Sequence, residues 1–137
     1  MVSKELQTKY IQLQMLKQQI SAFIDEKNLI DEKASELASA VNALKSLKDI
    51  KSSQDIWSSL GGSVFVSSSI KEIDKVLVGI GAGVVLKKQR AEAIAILQSR
   101  LDELIRLDKS IVSEIKNFSE HMELLESEVQ KLAEKEQ

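Results

Sequence analysis

The chain has 137 residues, 43% apolar but only 4% aromatic, 29% charged, with no proline and no cysteine, a composition for one domain built of long helices rather than around a thick core. A net charge of -2 with both signs interspersed supplies neither the basic footprint of a nucleic-acid binder nor a polybasic membrane anchor, so no nucleic-acid or membrane partner is expected. The lack of cysteine excludes disulfides, thiolate catalysis and cysteine-based zinc frameworks, no apolar run approaches the ~18 residues of a membrane span, and nothing after Met1 reads as a signal peptide, so a cytoplasmic protein is expected.

The first element is a long helix. A heptad starting with Leu6 as position a places apolar residues at ten of twelve a and d positions through Leu44, and the outer positions are filled with Gln, Lys, Glu and Ala, which favour helix. The pattern fades between Lys48 and Ser53, so residues 1–52 are expected to form the N-terminal coiled-coil helix.

From Ile56 to Leu86 the period changes from seven residues to two, and all five glycines fall here. Ile56, Ser58 and Leu60 share one face, as do Val64, Val66 and Ile70, then Val76, Val78 and Ile80, and finally Val84 and Leu86. Gly61-Gly62-Ser63 and Gly81-Ala82-Gly83 separate these short β-branched segments, which predicts two consecutive β-hairpins within residues 53–87.

The second helix, expected over residues 88–137, repeats the first more cleanly. Eleven of its twelve a and d positions from Ile94 to Leu132 are apolar. Two seams of about 57 Å each, joined by a reversing segment, predict an antiparallel coiled-coil hairpin with the two β-hairpins at its closed end. One register brings every a opposite a d: Leu6 with Leu132, Leu13 with Leu125, Ile20 with Phe118, Leu37 with Leu101, Leu44 with Ile94. It also sets the two internal polar seam residues, Lys27 and Asp108, in adjacent layers, where they either meet and help hold the register or snorkel separately to water past the narrow seam.

Two small hairpins in water are marginal and leave strand edges unpaired, and a two-helix seam buries only a narrow stripe. The fold class is therefore mixed α+β, mostly helical, with a β-barrel completed by oligomerisation through Ile56, Leu60, Val64, Val66, Ile70, Val76, Val78, Ile80, Val84 and Leu86. Trp57 reads as a barrel-packing residue.

Chemical sites are absent from this pattern. Gly79-Ile80-Gly81-Ala82-Gly83 lacks the lysine and Ser/Thr of a P-loop and the third glycine of a dinucleotide fingerprint, so it reads as a turn between strands. His121 is the sole histidine; with no converging partners it reads as a surface residue, not a metal ligand or a base. Neither an enzyme nor a cofactor is expected.

A long helix, a glycine-punctuated pair of hairpins and a returning helix resemble the prefoldin subunits. The stretch Val78-Gly79-Ile80-Gly81-Ala82-Gly83-Val84-Val85-Leu86-Lys87-Lys88 is similar to the signature with which the α-type subunit enters its last strand and second helix, and Leu60-Gly61-Gly62-Ser63-Val64-Phe65-Val66 to the family's first hairpin turn. Two hairpins rather than one point to the α-type. The chain departs from the family where Ile56-Trp57-Ser58-Ser59-Leu60 stands in place of a Leu-Val-Pro stretch, and at Lys87, where many members have glutamate. Lys87, Lys88 and Arg90 also oppose the helix dipole, with no Ser, Thr, Asp or Asn placed to cap the second helix.

The resemblance implies an ATP-independent co-chaperone in which two α-type and four β-type subunits join through β-barrels. Its coiled-coil tips hold unfolded proteins and pass them to a group II chaperonin. Here the tip would comprise Leu6, Tyr10, Ile11, Leu13, Met122, Leu124, Leu125, Val129 and Leu132, with Met15 counted among the seam residues a frayed end lends to a client. The alternative is a structural tether whose coiled coil binds a folded partner helix.

Overall fold

The computed structural model describes residues 2–51 and 54–137. In chain order it contains helix α1 (Lys4–Ser46), a short 3-10 turn (Leu47–Asp49), strands β1 (Asp55–Gly61), β2 (Val64–Ser69), β3 (Lys75–Gly81) and β4 (Val84–Gln89), and helix α2 (Arg90–Lys135). The chain divides into two compact units, Met1–Ala34 with Glu103–Gln137, and Ser35–Asp102. The expected boundary between residues 52 and 53 lies outside the described residues.

In the first unit the ends of α1 and α2 pair antiparallel. Ser3 caps α1: its Oγ accepts from the Leu6 N–H at 3.2 Å and its carbonyl from the Gln7 N–H at 3.0 Å, which satisfies donors that have no partner within the helix. Leu13, Leu16 and Leu125 form the buried core, with Phe118 and Met122 packed against it. Phe23 and Phe118 meet with ring centroids 5.5 Å apart, an aromatic contact that adds to the apolar seam. Lys9 pairs with Glu128 and the Ser3 N–H faces the Glu136 carboxylate, both within one residue of the register deduced from the heptads.

The polar seam residues do meet. Lys27 Nζ lies 3.1 Å from Asp108 Oδ1 as an ion pair and donates a hydrogen bond to Asp31 Oδ2 at 2.8 Å. Asp31, one helical turn after Lys27, was not part of the expected pair; the i,i+4 spacing supplies it. Hydrogen bonding to Asp31 and then Asp108 holds the Lys27 ammonium above its ordinary pKa, and the bond from Lys27 holds the Asp31 carboxyl below its own.

In the second unit the hairpins β1–β2 and β3–β4 form separate two-stranded antiparallel sheets. Each tip is a two-residue turn with positive φ at both central residues, Gly62 and Ser63 in the first, Ala82 and Gly83 in the second, the hand that matches strand twist. Gly61 at φ 91° and Gly81 at φ 117° precede these turns, where the register slips in each hairpin as in a glycine bulge.

β4 extends to Gln89, so α2 begins two residues after the expected start at residue 88. The reason is the ladder: Lys87, Lys88 and Gln89 pair with Leu77, Val76 and Lys75. The cap missing from the local sequence comes from tertiary structure, because the Arg90 N–H donates to the Asp74 carbonyl at 2.8 Å. The Arg90 guanidinium in turn donates to the Leu44 carbonyl in the last turn of α1 at 3.3 Å, so a cation at an unfavourable helix N-terminus serves the neighbouring C-terminus. Val41 and Ala93 on the helices and Val78 on β3 are buried in this unit.

Candidate functional site

The nine residues expected at the open end all fall in the first unit, but in two populations. Leu6, Leu13, Leu125 and Val129 are buried, and Met122 and Leu132 half-buried, because a and d side chains point at the opposite helix. Tyr10, Ile11 and Leu124 are exposed, at 50%, 63% and 66%. Only these three present apolar surface without the helices parting.

Met15 belongs with them. It is 57% exposed, off the seam rather than in it, and one turn beyond Ile11 on the same face of α1. It lines a groove of about 280 Å³ with Gln12, Leu16, Gln19, His121 and Leu125. A second groove of about 270 Å³ is lined by Val2, Leu6, Tyr10, Ala133, Glu136 and Gln137. The signal that finds Met15 is its place in the heptad: an apolar side chain at an outer position serves no two-helix seam.

Charge frames this surface. The hydrogen bond to Glu128 raises the Lys9 ammonium above its ordinary pKa, and the same bond lowers the Glu128 carboxyl. Both groups therefore stay charged through the neutral range, beside Tyr10 on one helix and Val129 on the other.

In the second unit, cross-strand partners share a face. Ile56, Leu60, Val64 and Val66 lie on one face of the first hairpin, and Val76, Val78, Ile80, Val84 and Leu86 on one face of the second. Val78 on this face is buried by the chain itself, whereas Leu60, Val64, Val66, Ile80, Val84 and Leu86 are exposed. Ile70 is half-buried and lies one residue beyond β2. Trp57 does not share the face of Ile56 and Leu60. Strand alternation and its pairing with Ser67 put it on the opposite face, with Phe65, where it is 74% exposed.

A family model described as prefoldin subunit matches residues 16–135. The chain belongs to the prefoldin family. It is 30% identical to the prefoldin subunit alpha of Methanococcus vannielii over 96% of this chain and 88% of that one. It is 26% identical to that of Archaeoglobus fulgidus over 92% of both. Among solved structures, filamentous PFD from Methanocaldococcus jannaschii superposes with a TM-score of 0.72 at 21% identity, covering 84% of this chain and 95% of the other. The prefoldin beta subunit from Thermococcus strain KS-1 gives 0.66 at 14% identity, covering 96% and 94%.

These relatives bear out the α-type reading, and two hairpins between two helices bear out the fold class. Prefoldin subunits are chaperone components without catalytic activity, so this chain is no enzyme. Gly81-Ala82-Gly83 is the tight turn joining β3 to β4 in this prefoldin subunit. His121 lies exposed beside Met15. No helix is long and apolar enough to cross a membrane among the described residues.

Proposed function

We propose that the chain is the α-type subunit of a hetero-oligomeric co-chaperone, two α-type with four β-type subunits, joined through the hairpins by strand addition. The assembly holds unfolded proteins at the exposed apolar side chains of the first unit and passes them to a group II chaperonin in the cytoplasm without ATP. Family membership supports the chaperone role. The observation that carries client capture is Tyr10, Ile11, Met15 and Leu124 standing exposed where no seam needs them. Scattered apolar side chains of this kind, one of them a methionine, suit partners of varied shape better than one fixed helix. The strand-addition role rests on the exposed apolar residues of both two-stranded sheets, which have no layer of their own to cover them.

Co-expression with a prefoldin β-type subunit followed by mass measurement tests the assembly. Protection of several unrelated unfolded proteins from aggregation tests the capture. Replacing Ile11, Met15 and Leu124 together by Ser is expected to leave the mass unchanged and to reduce protection several-fold. A wild-type complex that protects none of the unfolded proteins, yet binds one folded helical partner, is the outcome that establishes the tether instead.

A further inference from the structure

The chain has three methionines and no cysteine, so methionine carries the readily reversible oxidation chemistry open to it, thioether to sulfoxide and back. Met1 lies outside the described residues. The other two stand on facing helices of the first unit in opposite situations. Met122 of α2 occupies a seam position, is half-buried, and packs against the core of Leu13, Leu16 and Leu125. Met15 of α1 is 57% exposed and borders the groove of about 280 Å³ in which Leu16 and Leu125 are the buried lining residues.

A dissolved oxidant reaches an exposed thioether directly, but reaches Met122 only when the helices part. Oxidation of Met122 would set a polar sulfoxide into the seam and loosen it. Oxidation of Met15 sets the same group on the surface, where Gln12, Gln19 and His121 around the groove carry hydrogen-bond donors for the new oxygen. The apolar face that Met15 shares with Ile11 then loses its most adaptable member. The two helices keep their pairing.

We infer that Met15 is a site of selective, reversible oxidation by peroxide, and that sulfoxide at this position turns the capture surface down without unfolding the coiled coil. The methionine sulfur attacks one oxygen of the peroxide and the O–O bond breaks. Sulfur is oxidised to the sulfoxide, and the departing hydroxide takes up the proton of the transferred hydroxyl and leaves as water. A methionine sulfoxide reductase returns the thioether, with a dithiol oxidised to a disulfide and the oxygen released as water. Selectivity for Met15 stands on exposure and packing alone; the effect on capture rests on the client-binding role proposed above.

The test treats the full-length chain with hydrogen peroxide, quenches it, and follows the product by peptide mass spectrometry and circular dichroism. Met15 gains the mass of one oxygen several-fold faster than Met122, and the chain oxidised at Met15 keeps its helical signal and a cooperative melt. Assembled with an untreated β-type subunit, it protects unfolded proteins several-fold less than the unoxidised assembly, and a sulfoxide reductase reverses the loss. Met15→Gln lowers protection before any peroxide is added, whereas in Met15→Leu peroxide produces no further fall from that variant's own starting level. Met122 oxidised as fast as Met15, collapse of the helical signal when Met15 alone is oxidised, undiminished protection after complete oxidation of Met15, or a Met15→Leu assembly that peroxide weakens as much as the wild type, each overturns the inference. An untreated assembly that protects no unfolded protein overturns the capture reading instead, while the order of oxidation is still decided by mass.

Discussion

At single positions, the same residue type carries different weight according to where the fold sets it. Leu124 and Leu125 are neighbours in sequence, yet one is 66% exposed and the other buried at 5% in the core with Leu13 and Leu16. Leu125→Ala is expected to cost about 2–3 kcal/mol by loss of buried area and the cavity left behind, while Leu124→Ala changes stability by less than about 0.5 kcal/mol; paired thermal or denaturant melts of the two variants check this contrast. Ala82 is the reverse case, a residue whose side chain matters little and whose backbone matters much. At φ 52° it sits in the left-handed region that costs an L-residue roughly 1 kcal/mol or more. Ala82→Gly relieves that strain but adds freedom to the unfolded chain, so a net gain of up to about 1 kcal/mol is expected, read as a higher melting temperature.

At the level of elements, the polar layer in the seam and the ends of the helices decide behaviour. The Lys27 pKa is raised and the Asp31 pKa lowered by their hydrogen bond. The Lys27 contribution is present below the ordinary lysine value of 10.5 and is lost as pH rises through the higher folded value. The Asp31 contribution is present above the ordinary carboxylate value of 3.8 and is lost as pH falls through the lower folded value. Between those limits Lys27 and Asp31 are both charged, so a melting-temperature profile is expected to be flat through neutrality and to fall in acid, less so in Lys27→Met. Both partners are partly exposed, so the stability involved is small. Replacing Lys27 and Asp108 together by Leu is expected to raise the melting temperature while widening the choice of register. A rise in off-register cross-linking, measured with cysteines introduced along both helices, checks the second effect.

Arg90 gives the element-scale lesson about caps. Its backbone N–H is met by Asp74 and its guanidinium meets Leu44, so Arg90→Met is expected to destabilise the second unit by about 1 kcal/mol, seen as faster amide exchange in the last turn of α1. Sequence spacing alone offered no cap for α2, because the acceptor is a main-chain carbonyl sixteen positions away. Backbone carbonyls carry no residue signature; only folding brings one to the helix start.

For the whole molecule, no large side chain is fully buried among the described residues. Each unit shelters a thin stripe and leaves apolar residues in water, the condition under which a chain finds its stability with partners. The coiled-coil seams and the hairpins were legible in the residues themselves. A heptad or an alternating pattern states which side of an element is apolar, and Gly61-Gly62-Ser63 and Gly81-Ala82-Gly83 mark turns by the conformations they permit. The pairing of the helices was legible too, since Lys27 and Asp108 had to fall in adjacent layers of one register, and they do.

The candidate site was legible only in part. Tyr10, Ile11 and Leu124 stand out as apolar residues at outer heptad positions, but Met15 was counted with the seam. Sequence by itself determined what depends on neighbours along the chain: helix, strand, turn and the apolar side of each. Tertiary structure alone decided what depends on distance between separate segments, namely the Asp31 contact shared with a cross-seam pair, the Asp74 cap and the exposure of Trp57. Periodicity records the direction of a side chain, and only packing records whether anything is there to meet it.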